Sequence, residues 1–426
     1  MINPLLFAKK IRNSETARHT LWMMLAQGLR VVTQAVYFVI VARSLGVNQY
    51  GAFVGAASLV SIAFPFSALG SGDLLVKNVS RDPSLFRQYW GNTLLATLIS
   101  GLVLIALLYV VAPFILPSTI PSSLVVVIAA SDLIFFRAST NAGQAFQAVL
   151  QLDKTAILNI LPNFLRAIAA ILFVNISTRN NVLEWAYAYA VSSVIGAVIA
   201  VLMVSYYLGW PHFSLKRMKS GIIEGSYFSI SLSAQSIYND IDKTMLARLS
   251  TLEATGIYAA AYRIIDVAFV PVRSLLAATY AKFFRYGEAG IDGALVLSKR
   301  MLPVASTMGL MAALGLFLGA PVVPLVLGDD YISSVNAIRW LALIPLIKSV
   351  QYFGADTLTG AGFQKMRSAA QVFIAIFNIL LNFWLIRTYS WLGAAWSSLI
   401  SDGLLMVGLW LIVFYVRRRQ IKGKLK

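Results

Sequence analysis

The chain of 426 residues contains no cysteine and only two histidines, His19 and His212. The first absence removes disulfides, thiolate nucleophiles and thiolate-held metals, and the second leaves too few imidazoles for a metal centre. Acidic residues are scarce as well, 17 against 35 lysines and arginines, and all charged residues together make up 12% of the chain. No Gly-x4-Gly-Lys-Ser/Thr phosphate loop, His-Glu-x2-His zinc motif or Gly-x-Ser-x-Gly nucleophile elbow occurs. ATP hydrolysis through such a loop, zinc-peptidase and serine-esterase chemistry therefore have no basis in the sequence, which reads as a non-enzyme without a metal or cofactor.

Apolar sequence fills the chain instead. Hydrophobic residues account for 59% and mean hydropathy is +0.76. Twelve stretches approach the ~20 residues that cross a ~30 Å hydrocarbon layer. In order, and numbered here as spans 1 to 12, they are 20–42, 48–72, 89–112, 121–146, 155–176, 183–208, 223–247, 255–281, 301–320, 332–357, 368–386 and 393–416. The expected fold class is an all-α integral membrane protein of twelve transmembrane helices with both termini on one side. Met1–Lys10 has too short an apolar run, followed rather than preceded by its charges, for a cleaved signal peptide, so span 1 is expected to direct insertion.

The formal net charge of +18 does not point to nucleic acid, because the basic residues punctuate alternate loops rather than gathering on one face. One set of loops and tails carries 23 of them, including Lys9, Lys10, Arg12, Lys77, Arg87, Lys154, Lys216, Arg217, Lys219, Lys282, Lys365 and Arg417 to Lys426. The opposite loops carry four: Arg43, Arg179, Arg248 and Arg387. The positive-inside rule then places both termini in the cytoplasm. The basic tail is expected to lie against anionic headgroups.

A shift of 205 residues superimposes Ala42, Arg43, Gly51, Ala56, Ala63 and Phe64 on Ala247, Arg248, Gly256, Ala261, Ala268 and Phe269. Six helices separate the copies, an even number, so the halves point the same way and are expected to be related by a pseudo-twofold axis along the membrane normal. The organisation expected is an N-terminal six-helix bundle over 1–209, a cytoplasmic linker over 210–221, and a C-terminal bundle with its basic tail over 222–426.

Several spans carry polar stripes at helical spacing, the pattern of a membrane helix that lines a cavity. Span 1 aligns Gln27, Arg30 and Gln34; span 4 aligns Arg137, Asn141 and Gln144; span 5 aligns Asn159, Asn163 and Arg166; span 11 aligns Gln371, Asn378 and Asn382. Span 7 holds Gln235, Asn239, Asp240, Asp242 and Lys243, and span 8 holds Arg263, Asp266 and Arg273, where the first half has Ser58 and Ser61 in place of Arg263 and Asp266. Eight bases lie within spans: Arg30, Arg137, Arg166, Lys243, Arg263, Arg273, Arg339 and Lys348. At ~2.5 to 3.5 kcal/mol for each central charge they would cost on the order of 20 kcal/mol, more than a typical net stability of ~5–15 kcal/mol, so they must be hydrated or paired. The acidic partners available are Asp132, Asp240, Asp242, Asp266, Asp356 and Asp402. Pro65, Pro162, Pro271, Pro303 and Pro345 interrupt spans and read as bend points or static kinks.

Ala42, Arg43, Leu45, Gly46, Tyr50 and Gly51 after span 1, with Asp240, Asp242, Lys243, Gly256, Tyr258, Ala259, Tyr262 and Arg263 around spans 7 and 8, carry a family resemblance. The chain resembles the polysaccharide flippases of the O-antigen and exopolysaccharide type, within the larger group that includes multidrug and toxic-compound extrusion proteins. The resemblance implies a carrier in the bacterial cytoplasmic (inner) membrane. Its expected cargo is an undecaprenyl-diphosphate-linked oligosaccharide, moved to the outer leaflet by alternating access coupled to H+ or Na+. Membrane lipids, a polysaccharide polymerase and a chain-length regulator are the implied partners. The substrate-binding set read from the stripes is Arg30, Gln34, Arg137, Arg166, Asn239, Arg263, Arg273 and Lys348, and the ion-coupling set is Asp240, Asp242 and Asp266. The alternatives are a multidrug exporter of the same fold, for which an acidic cavity would be expected, and an intramembrane glycan polymerase, which usually presents a sizeable outer loop.

Overall fold

The computed structural model describes residues 15–177, 181–213 and 236–424 together with Ser229 and Ser233, and, within these, side chains from Gly28 to Gln420 apart from Ala281. Lys9, Lys10, Arg12, Arg179, Lys216, Arg217, Lys219, Gln235, the linker from 214 on and the first turns of span 7 lie outside the described residues, as does the side chain of Gln27. Among the described residues there are helices and turns but no strand. Lipid enforces this, since a spanning segment must satisfy its own backbone hydrogen bonds.

Seven helical stretches among the described residues are long and apolar enough to cross a membrane, and they account for spans 1 to 6, 9, 11 and 12. Spans 7, 8 and 10 are the exceptions. The first half of span 7 lies largely outside the described residues, and spans 8 and 10 are each interrupted into shorter helices that carry Arg263, Asp266 and Arg273, and Lys348. The chain divides into two compact units, Met1–Leu45 with Ala56–Asp240, and Gly46–Gly55 with Ile241–Lys426.

The helix Glu15–Ala63, which lies in the first unit except for Gly46–Gly55, contains span 1 and the start of span 2 and bends at Gly46, where φ is 69°. Span 2 then unwinds at Phe64–Gly70, with Pro65 at its start and left-handed backbone at Ala68, Leu69 and Gly70, before resuming as Ser71–Val79. Span 3 is Phe86–Ile115. Span 4 is also irregular: Ser122–Ala129 passes through a π-helical segment, Ala130–Phe136, into Arg137–Ala148. Spans 5 and 6 are the regular helices Leu152–Ile176 and Val182–Leu208.

The two irregular segments pack on each other. The Ser67 hydroxyl donates to the Leu133 carbonyl, the Phe64 and Phe136 rings lie 5.7 Å apart, and the Ala68 N–H donates to Ser100 Oγ at 2.8 Å. Backbone groups freed by unwinding are thus taken up by neighbouring helices, the condition for tolerating a break in lipid. A core of Leu75, Val79, Trp90, Phe146, Leu158 and Val204 closes one end of this unit.

In the second unit span 8 is Leu252–Ala268 continued by Val270–Gly287, with Pro271 just past the break, and Thr251 Oγ1 caps its start by accepting from the Ala254 N–H at 3.0 Å. Span 9 is Ile291–Gly319, span 10 is Ser334–Leu341 followed by Ile344–Gly360, and spans 11 and 12 form one run, Gln364–Lys424, turned at Ser390. Pro65, Pro271 and Pro345 therefore stand at breaks, while Pro162 and Pro303 lie inside continuous helices.

Gly46–Gly55 packs within this second unit. A Cβ on Gly51 would lie 1.8 Å from the Leu252 carbonyl oxygen and 2.8 Å from Gly256 N, and one on Gly256 would lie 2.1 Å from the Val47 carbonyl oxygen. The two repeat-related glycines thus meet, each because only a hydrogen fits there. Tyr50 beside them packs edge-on against Tyr331 at 6.5 Å. Burial raises the Tyr331 phenol well above its usual range, with Tyr50 and Asp330 adding to it.

Candidate substrate and ion sites

In the first unit, Arg166 donates from Nη2 to Asp132 Oδ1 at 3.0 Å, and the Tyr189 hydroxyl donates to the same oxygen at 2.8 Å. The guanidinium also lies 4.6 Å from the Phe136 ring centre and 4.2 Å from that of Tyr189. Asp132 sits on the π-helical segment, so the local irregularity of span 4 turns this carboxylate toward span 5. Arg166 is thereby a buried, paired and ring-stacked cation.

Arg137 follows the π segment, is 7% exposed, and lies with its Cζ 5.1 Å from the Phe64 ring centre. The acidic group that acts on it electrostatically is Asp73, on span 2 beyond the unwound segment. Arg30 and Gln34 are half-buried on span 1, and Asn239 is exposed. Asp240 Oδ2 accepts from the Ser61 hydroxyl at 3.0 Å, so the serine that replaces Asp266 in the first repeat holds a carboxylate rather than supplying one.

In the second unit two acid–base pairs flank one ring. Lys243 Nζ lies 3.8 Å from Asp242 Oδ1, and Lys348 Nζ lies 3.9 Å from Asp402 Oδ2. Both ammonium groups approach the Tyr262 ring, at 5.4 Å and 5.8 Å from its centre. Asp242 is further bonded by the Tyr258 hydroxyl at 2.5 Å, which also lies 2.9 Å from Ser398 Oγ. Spans 7, 8, 10 and 12 thus contribute to one buried network, and Asp242 and Asp402 are 4% and 2% exposed. Arg263 is half-buried next to Tyr262 in sequence. Arg273 and Asp266 form a separate exposed pair at 3.4 Å, across the break in span 8.

The stripe reading therefore gathers Asp242 and Lys348 at one place and sets Arg273 with Asp266 at another. Tyr189, Ser398 and Asp73 were not singled out by the stripes. Only the four-residue spacing of Tyr258 and Tyr262 hinted that aromatic hydroxyls share the polar face. Asn378 and Asn382 are taken up by helix-to-helix bonding. Asn378 Nδ2 donates to Ser397 Oγ and Ser401 Oγ at 3.2 and 3.0 Å, and Asn382 Nδ2 donates to Asn378 Oδ1 at 2.8 Å, a ladder joining spans 11 and 12. Among the described residues no cluster of three or more His, Cys, Asp or Glu could hold a metal ion.

Residues 16–283, more than half of the chain, match the family model described as "Polysaccharide biosynthesis protein". The teichuronic acid biosynthesis protein TuaB of Bacillus subtilis strain 168 is 23% identical over 365 residues, spanning 82% of this chain and 72% of that protein. Among solved structures, an inward-facing multidrug resistance MATE family transporter of the MOP superfamily superimposes with a TM-score of 0.74 at 14% identity, over 90% of this chain and 96% of the other. A MOP superfamily transporter from Pyrococcus furiosus, for which reverse polarity of the binding pocket is taken to suggest a different function, gives a TM-score of 0.61 at 14% identity, over 94% of this chain and 95% of that one. The fold is that of the twelve-helix, two-bundle MATE transporters.

Proposed function

The chain belongs to the polysaccharide biosynthesis protein family, it is a multi-pass membrane transporter rather than an enzyme, and on that premise we propose that it flips an undecaprenyl-diphosphate-linked oligosaccharide from the cytoplasmic to the outer leaflet of the bacterial inner membrane. The observation that carries the reading is the set of basic groups held within the spans, Arg30, Arg137, Arg166, Arg263, Arg273 and Lys348. A diphosphate offers several acceptor oxygens, and guanidinium forks are the groups best matched to them. Gln34 and Asn239 supply amide contacts to the sugar or phosphate. A drug-cation exporter would need the opposite sign of charge.

Movement in one direction without a nucleotide site draws on an ion gradient, and Asp240, Asp242 and Asp266 are the carboxylates assigned to exchange H+ or Na+. The reading keeps both termini in the cytoplasm, beside the enzymes that build the lipid-linked precursor, and hands the product to a polymerase and chain-length regulator outside. Deleting the gene is expected to remove a surface polysaccharide and to accumulate its lipid-linked precursor on the inner leaflet. A precursor that reaches the outer leaflet normally but stays unpolymerised would overturn the flippase reading in favour of a polymerase. Arg30→Ala and Arg263→Ala should each abolish surface glycan at normal protein level, with Lys restoring it only in part. Wild-type glycan in both Ala variants would remove these two residues from the substrate-binding set.

A further inference from the structure

Spans 5 and 6 turn facing stripes to each other and leave an apolar groove of about 480 Å³ between them. Its floor is low because the residues there are small: Ala169 on span 5, Ala188 and Ser192 on span 6. Exposed branched side chains, Ile168, Leu172 and Ile195, form the rims. The groove closes near mid-span where Gly196 lets Leu165 come close, since a Cβ on Gly196 would lie 3.3 Å from Leu165 Cδ1. From Leu165 to Ile176 the helix rises about 16 Å at ~1.5 Å per residue, half of a ~30 Å hydrocarbon layer. The groove is as deep as one leaflet.

Its polarity runs one way. On the inner wall the Ser192 hydroxyl has its hydrogen committed to the Tyr189 carbonyl at 2.7 Å. At the other end Glu184 and Ser177 line the mouth, and the Ser177 hydroxyl donates to Glu184 Oε2. The second oxygen of this half-buried carboxylate, Oε1, has no partner among the described residues. An apolar groove one leaflet deep that ends on a carboxylate has the profile of an amphiphile with a cationic head. A headgroup whose only charge is a phosphate would be repelled there.

We propose that this groove binds a phospholipid of the phosphatidylethanolamine type, with an acyl chain between spans 5 and 6 and the headgroup ammonium on Glu184. A primary ammonium donates charge-assisted hydrogen bonds, which the open Oε1 accepts. The leaflet concerned is the outer one in the topology set by the basic loops. Glu184 also stands in the first turn of span 6, where a negative charge suits the helix end. That role is indifferent to which lipid is present, so lipid preference separates the two. The site does not depend on what the protein carries.

The wall of the groove leads back to the ion pair of this unit. Phe173, in that wall, packs edge-on against Trp185 at 5.7 Å, and Trp185 lies 6.0 Å from Tyr189, whose hydroxyl bonds Asp132. A chain seated in the groove thus backs the two helices that bury Arg166. Because it binds only the folded state, it should raise the unfolding temperature.

The test offers delipidated full-length protein an equimolar mixture of phosphatidylethanolamine, phosphatidylcholine and phosphatidylglycerol with identical chains. Native mass spectrometry counts the lipids retained, and thermal unfolding is measured with each lipid alone. Phosphatidylethanolamine should be enriched at least threefold over both others and give the highest Tm; choline carries the same charge but has no N–H to donate. Glu184→Gln should abolish the enrichment while leaving Tm in phosphatidylglycerol unchanged, and Glu184→Lys should turn the preference to phosphatidylglycerol. Ala188→Leu, which fills the groove, should lower retention of all three lipids; if it does not fold, the two Glu184 variants still decide. Equal retention of the three headgroups by the unaltered protein would overturn the proposal and leave an ordinary annular lipid in the groove. An enrichment that survives Glu184→Gln would overturn it too, leaving Glu184 a helix-end charge alone.

Discussion

Arg166 shows how a full charge is kept inside a membrane protein: one carboxylate, one phenol hydroxyl and two ring faces surround it. Breaking such a pair leaves an uncompensated buried charge, a loss of about 3–5 kcal/mol, whereas removing both charges together costs far less. Asp132→Leu and Arg166→Leu are each expected to lower unfolding stability by that amount in detergent, and the double variant to recover most of it. Equal losses in the single and double variants would mean that the pair is not the stabilising unit. The sequence made it legible that these bases must be paired, because the cost of leaving them bare is too great. It did not reveal which acid serves which base. Asp266 lies one turn from Arg263, yet it pairs with Arg273 seven residues on, since the helix breaks at Phe269 and Pro271 changes the phase of the face that follows.

Helix boundaries were read largely from hydropathy, and the elements that depart from it are the informative ones. Pro65 and Pro345 were visible as interruptions, but the left-handed stretch after Pro65 depends on Ser100 and Leu133 to receive its backbone and side chain, partners from other spans that no local pattern encodes. The π-helical turn of span 4 has no composition signal at all. The repeat, in contrast, announced Gly51 and Gly256 as equivalent, and the structure gives the reason in their mutual contact. Gly51→Ala or Gly256→Ala should therefore destabilise by about 1–3 kcal/mol or more through overpacking against a carbonyl that cannot move aside. Gly28→Ala and Gly315→Ala, with nothing within 4 Å of the new methyl, should leave stability and transport unchanged. Thermal unfolding of the four variants side by side checks this. If Gly51→Ala and Gly256→Ala behave like the two controls, the close packing is not what holds this corner together.

At the scale of the whole molecule, lipid simplifies the reading of the sequence. Span count and the sidedness of the basic loops follow from two constraints, hydrocarbon thickness and the cost of moving positive charge outward. The absence of cysteine makes the orientation directly testable, because a single introduced thiol has no native background. Cysteines replacing the exposed Ser118 or Asp329 should react with an impermeant maleimide in right-side-out spheroplasts, and those replacing the exposed Ser80 or Lys365 only after permeabilisation. The reverse pattern would invert the proposed topology. The sequence did not show that Gly46–Gly55 belongs with the second unit, because membership is decided by packing partners some two hundred residues away.

That membership also has a history during synthesis. Gly51 leaves the ribosome 205 residues ahead of Gly256, and at roughly 5–20 residues per second this is a delay of about 10–40 s. Throughout it, the surface that Gly51 turns to span 8 has no partner, because that helix is not yet made. A ribosome that stalls between the halves would leave that surface open for quality control to recognise. An N-terminal half expressed alone should for the same reason be short-lived, and co-expression of the C-terminal half as a separate chain should extend its lifetime.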